Sequence, residues 1–117
     1  MKCRYTKYLL WLTLGAIISL VVYTRFFSEN IADNWQHLHH QAHIALHNEK
    51  YEHVIEICDQ AIKVDASSDN RYLMYVKKAK ALNKLHRYEE ALKSADLAVT
   101  IYPKKEEAYL VKVDALF

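Results

Sequence analysis

Glycine and proline are almost missing: Gly15 and Pro103 are the single examples in 117 residues. Tight hairpins and glycine-rich loops therefore have almost no raw material, which leaves an all-helical chain. Cysteine is scarce too. Cys3 and Cys58 stand on opposite sides of an apolar run, which argues against a bond between them and leaves the redox compartment open. There is no G-x-S-x-G elbow, no phosphate loop and no H-E-x-x-H pair, so the sequence points away from an enzyme and calls for no cofactor. The acidic pairs Glu89-Glu90 and Glu106-Glu107 fall where helices are expected to start, and there they suit the helix dipole. No basic tract marks a nucleic-acid partner. Lys2, Arg4, Lys7 and Arg25 precede Ser28, and beyond it twelve basic residues face fourteen acidic ones, a net of −2.

Against these absences stands one apolar run, YLLWLTLGAIISLVVYT, from Tyr8 to Thr24 without a charge. As a helix rising about 1.5 Å per residue it spans about 25 Å. Phe26 and Phe27 extend it if Arg25 snorkels to the interface. Tyr8, Trp11 and Tyr23 are aromatic residues of the kind that favour membrane interfaces. A buried core helix is excluded by size, since the remaining ~90 residues could hardly surround it. A cleaved signal peptide is the sharper competitor, because the start is basic. However, bulky residues from Tyr23 to Phe27 leave no A-x-A site, and Cys3 precedes the run and so cannot serve as a lipoprotein cysteine. The expectation is an uncleaved signal-anchor in a lipid bilayer over residues 8–27, behind a basic flank at 1–7. Three positive charges before it against one after it predict a cytoplasmic N-terminus. The C-terminal domain then lies on the opposite side, the periplasm in a bacterium.

Residues 28–33 read as a polar linker, and Asp33 with Gln36 as a capping-box variant. Apolar spacing then predicts a helix to about His47 with Trp35, Leu38, Ala42 and Ala45 inside. A second helix, Tyr51 to about Val64, buries Tyr51, Val54, Cys58, Ala61 and Ile62. DASSDN, Asp65 to Asn70, is the clearest loop signal. Three more helices follow, at about Arg71–Lys84, Tyr88–Tyr102 and Lys104–Phe117. In the fourth, Tyr88, Ala91, Ala95 and Ala98 share a face, and Pro103 ends it. The pattern repeats. Tyr51, Val54, Cys58 and Ala61 return 37 residues later as Tyr88, Ala91, Ala95 and Ala98, and Tyr75 returns after 34 as Tyr109.

Tyr75-x-x-Lys78-Ala79-x-x-Leu82, followed by Tyr88, Ala91, Ala98 and Pro103, resembles the tetratricopeptide repeat (TPR) family. The resemblance covers residues 34–117 as about two and a half repeats, near 35–68, 72–105 and 106–117. Ala66 stands where that family has proline, Cys58 where a large aromatic is common, and Lys78 and Gln41 replace a leucine. The bland alternative is an ordinary helical bundle with coincidental spacing. The resemblance implies a short solenoid of antiparallel helix pairs whose first helices line a concave groove. Its wall would be Gln36, His39, His43, Leu46 and His47, then Leu73, Val76, Lys80, Asn83 and Lys84, then Glu107, Leu110 and Asp114. Histidines occupy the first two positions of the family's carboxylate clamp, and Glu107 and Val111 stand where basic residues belong, so the clamp is rejected. A mixed groove suits a protein or peptide carrying acidic and apolar side chains.

His39, His43 and His47 recur every fourth residue. They read first as a solvated face, next as a pH-sensitive surface, and last as metal ligands, since no further ligand accompanies them. Lys77, Lys78, Lys80 and Lys84 read as a solvated basic face, with Lys80 and Lys84 placed to meet a partner carboxylate. Cys58 reads as a small core residue. The functional expectation is a membrane-anchored TPR-like module that recruits or scaffolds a partner protein. One alternative is a structural subunit of a larger membrane complex, docking or self-associating through its open C-terminal helix. Another is a His-rich metal-binding or pH-sensing protein.

Overall fold

The computed structural model describes residues 2–65 and 67–117, with side chains from Tyr5 onward. The described residues form five helices and no strand: α1 (Lys2–His47), α2 (Tyr51–Val64), α3 (Ser68–Lys84), α4 (Tyr88–Ile101) and α5 (Glu106–Leu116). The side chains of Lys2, Cys3 and Arg4, and Ala66 at the expected proline position, lie outside the described residues. The chain divides after Ala32 into two compact units.

In the first unit every described side chain up to Asn30 is exposed, among them Leu9, Leu12, Ile17, Ile18, Val22 and Phe26. An apolar helix with no protein cover has only lipid or another chain in which to lose its contact with water. α1 is long and apolar enough to cross a membrane, with a mean hydropathy of 1.8 over its most apolar stretch. Its hydroxyls suit an apolar medium. Thr13 donates to the carbonyls of Leu9 and Leu10 at 3.0 and 2.9 Å, and Thr24 to that of Val21 at 3.0 Å.

The linker expected at 28–33 is helical throughout, and Asp33 starts nothing. The physical reason is cooperativity. Ser28 to Asp33 contains no glycine or proline, so extending an existing helix costs less than ending one and nucleating another.

The second unit has two cores that meet on α3. Leu38, Ala42 and Ala45 of α1 join Val54, Ile57, Cys58 and Ala61 of α2 and Met74 and Ala81 of α3. Tyr72, Val76 and Ala79 of α3 join Ala95 and Ala98 of α4 and Ala108 and Val111 of α5. α2 packs on α3, α3 on α4 and α4 on α5, while α3 also reaches α5.

The second unit repeats itself in detail. α2 and α4 are both 14 residues long and start 37 residues apart. Their buried positions coincide at that offset: Val54, Ile57, Cys58 and Ala61 against Ala91, Ser94, Ala95 and Ala98. The turns before them coincide as well. Glu49 N–H donates to Leu46 O and Lys50 N–H to Ala45 O, and 37 residues later His86 donates to Asn83 O and Arg87 to Leu82 O. Each turn closes its helix through one left-handed residue, Glu49 and His86, both at φ 60°. The cross-ties repeat too: Lys78 pairs with Asp59 at 2.7 Å across α2 and α3, and Lys112 with Asp96 at 2.9 Å across α4 and α5.

Several boundaries differ from the expectation. Half of DASSDN, Ser68 to Asn70, is helical, because α3 starts at Ser68. Asp65 makes this possible: one carboxylate oxygen accepts from Ser67 N–H at 2.8 Å and the other from Asn70 Nδ2 at 2.5 Å. The first of these bonds holds the Asp65 carboxyl below its ordinary pKa. α4 ends at Ile101 rather than Tyr102, and α5 covers Glu106–Leu116 rather than Lys104–Phe117. Tyr88 does not join the alanine face. It is exposed, with His86 Nδ1 at 2.6 Å from its hydroxyl. The α4–α5 connection is held by an aromatic cluster. Tyr72 and Tyr102 meet edge to face at 5.4 Å, Lys105 Nζ lies 4.7 and 4.5 Å from their centroids, and Tyr102 donates to Asp69.

A side chain at φ 60° crowds its own backbone, and glycine does not. Glu49→Gly is expected to raise stability by about 0.5–1 kcal/mol in urea unfolding, after the greater freedom of glycine in the unfolded chain is subtracted. An unchanged or lower midpoint would show that Glu49 is not held left-handed.

Candidate functional site

A cleft of about 330 Å³ opens in the second unit, lined by Leu46, Tyr51, Lys80, Asn83, Lys84 and Asp114. Those residues come from the C-terminal end of α1, the start of α2, the last turns of α3 and the C-terminal half of α5. The 3.6-residue period brings Lys80, Asn83 and Lys84 to one face of α3. Leu46, Lys80, Asn83, Lys84 and Asp114 were all expected on a shared wall, and the structure brings them together.

Lys80 is already engaged. Its Nζ lies 2.7 Å from Glu107 Oε1, so it meets a carboxylate of its own chain. Asn83 donates from Nδ2 to Val111 O at 3.0 Å, while its Oδ1 is buried without a partner among the described residues. Lys84 and Asp114 are exposed at the rim and make no ion pair among the described residues, which leaves both charges open to a ligand.

Other expected wall residues lie elsewhere. Val76 is a correction: at 2 % exposure it belongs to the core with Ala95, Ala98 and Val111. α4 and α5 together cover that position, which no pattern within α3 announces. Gln36, His43 and His47 are exposed but do not line the cleft. Tyr51 does line it. It had been assigned to the core, and its place at the first position of α2, where a helix end leaves side chains half open, is the signal for it.

The histidines do not act as one stripe. His39 is half-buried and stacks on Trp35 at 4.9 Å between centroids. His37 Nε2 lies 2.9 Å from Gln41 Nε2. Among the described residues no group of three or more His, Cys, Asp or Glu side chains comes together to hold a metal ion. The lysine run is also not a solvated face. Lys78 and Lys80 are paired, and the Lys77 ammonium is buried without a hydrogen-bond partner among the described residues. Its desolvation pulls the Lys77 pKa down. Nothing in the sequence separates Lys77 from its neighbours except its phase on the helix. Cys58 is fully buried, and burial pushes its thiol up to about 12, so it is not a nucleophile at neutral pH.

No protein-family model, no curated protein and no solved structure matches the chain.

His39 carries a pH signature. Burial chiefly, then the Lys77 ammonium on α3, then His43 and His40 on its own helix, lower its pKa. The folded state therefore prefers neutral His39. That contribution is fully present above the unfolded value of about 6.5 and is lost as the pH falls below it. His39→Gln is expected to flatten the decline in melting temperature between pH 7.5 and pH 5.5. A decline as steep as that of the parent would show that other groups set it.

Proposed function

We propose that this chain is a membrane-anchored, TPR-like protein–protein interaction module that recruits or scaffolds a partner protein at the membrane. The observation that carries the reading is the cleft at Leu46, Tyr51, Lys84 and Asp114, where apolar wall and unpaired charges of both signs lie together. Such a surface suits a peptide or helix with mixed side chains better than a small metabolite, which needs enclosure. The recurrence of helix lengths, turns and ion pairs at 37- and 34-residue steps supports the TPR-like architecture. The exposed apolar α1 supports the anchor. The basic residues ahead of the apolar run support a cytoplasmic N-terminus, with the cleft on the other side of the membrane. On this reading the protein does no chemistry of its own.

The test is cross-linking of the full-length chain in its native membrane, beside a Lys84→Glu, Asp114→Lys variant. Both residues are exposed, so the variant keeps its fold. One partner is expected to be captured by the parent and lost, by tenfold or more, from the variant. Equal capture by both would remove the cleft as the recruiting site. A cysteine placed at Asp114 and labelled by a membrane-impermeant reagent from the cytoplasmic side would reverse the sidedness.

A further inference from the structure

Two tyrosine rings and one lysine meet where α4 passes to α5. Tyr72 of α3 is 1 % exposed, and Tyr102 closes α4. Their rings are inclined at 69° and form a corner, and Lys105 Nζ lies over both of them, 4.7 and 4.5 Å from the centroids. Lys105 itself is exposed, so its ammonium reaches the corner from the solvent side.

The corner gives this ammonium attraction but no acceptor. Lys105 makes no ion pair among the described residues, and its contacts there are the two ring faces. A primary ammonium is strongly hydrated and has three N–H groups to satisfy. Ring faces supply only the pull of their quadrupoles, which is worth more the less water a cation has to give up. One ring is strengthened from outside. Tyr102 donates its hydroxyl proton to Asp69, which enriches the ring in electron density and sets a carboxylate beside it.

Joining repeats does not require such a corner. Asp65 follows α2 as Tyr102 follows α4, and Ser67 precedes α3 as Lys105 precedes α5. The α2–α3 connection is tied by hydrogen bonds from Ser67 and Asn70 to Asp65, without a ring or a cation. The turns and cross-ties recur between repeats, but the corner belongs to one junction.

We propose that Tyr72, Tyr102 and Asp69 form a binding site for a quaternary ammonium of the choline or betaine class, and that Lys105 is a tethered competitor for it. A trimethylammonium head has no N–H to satisfy and holds its water weakly, so it suits ring faces better than Lys105 does. The site is occluded by its own chain and opens when Lys105 swings out. It lies apart from the cleft and does not depend on the recruiting role proposed for it.

The probe is tetramethylammonium chloride, titrated into the full-length protein in phosphatidylglycerol nanodiscs. Isotope-labelled tyrosine rings are followed by NMR, with sodium chloride at equal ionic strength as reference. Saturable shifts of Tyr72 and Tyr102 are expected. Lys105→Gln is expected to bind at least tenfold more tightly than the parent, because the tethered competitor is gone. Lys105→Arg keeps a cation over the rings and is expected to bind as weakly as the parent, an order that damage to the fold does not produce. Tyr102→Leu in the Lys105→Gln protein is expected to abolish the shifts. Shifts matched by sodium chloride would overturn the inference, as would equal affinity of Lys105→Gln and the parent or binding that survives Tyr102→Leu. Two further arms give the source of the cation, and either result upholds the site. Phosphatidylcholine nanodiscs that weaken tetramethylammonium binding assign it to a lipid headgroup. Free choline that competes where phosphatidylcholine has no effect assigns it to a dissolved cation. A trimethyl-lysine peptide binding at least tenfold more tightly than choline would give the site to a modified protein and overturn the assigned class.

Discussion

Close approach of α-helices at alanine is the interaction on which the second unit depends. Ala42, Ala61, Ala79, Ala91, Ala95, Ala98 and Ala108 have no exposed surface at all. An alanine offers little area to bury, about a third of what leucine offers, so its value is geometric. It lets two helix axes approach toward the lower end of the usual 8–10 Å, and the backbones and neighbouring larger side chains then supply the contacts. α3 shows the consequence. It uses Ala81 toward one core and Ala79 toward the other, and so supports helices on two sides without a large core of its own.

Packing of small residues is permissive, and polar contacts at its edges fix which turn meets which. Asp59–Lys78 and Asp96–Lys112 cross successive helix pairs at the same relative height. A shift by one turn would move partners about 5.4 Å apart. Pairs of this kind at the edge of a helix interface contribute little energy, about a few tenths of a kcal/mol each. Their effect is to discriminate against wrong registers. The left-handed Glu49 and His86 act in the same sense, because each sets the direction in which the chain leaves its helix.

Most of this was legible in the sequence for a simple reason: small and aromatic residues at 3.6-residue spacing report burial directly. Leu38, Ala42, Val54, Cys58, Ala61, Ala91, Ala95 and Ala98 were readable in this way. What was not legible depends on neighbours distant in sequence. Val76 looked open because the helices that close over it lie beyond residue 88. Lys80 looked free because Glu107 is 27 residues away. The polar stretch after Ser28 looked like a break, yet nothing in it ends a helix. Tyr88 looked buried by pattern alone, but the first position of a helix lies at the rim of its packing face. Five of the six cleft residues were expected on one wall, three of them from the helical phase of α3, and Tyr51 required knowing which loop brings it beside Lys84 and Asp114.

The matching turns at 48–50 and 85–87 make the second unit modular at the level of covalent structure. Lys50 and Arg87 leave their turns through the same pair of backbone hydrogen bonds and enter helices of equal length. Joining Lys50 to Tyr88, with residues 51–87 removed, would preserve the local geometry on both sides of the new bond. The gene segment encoding those 37 residues could thus be lost or duplicated without inventing a turn. Shortening or lengthening this chain is a change in the number of parts rather than in their design.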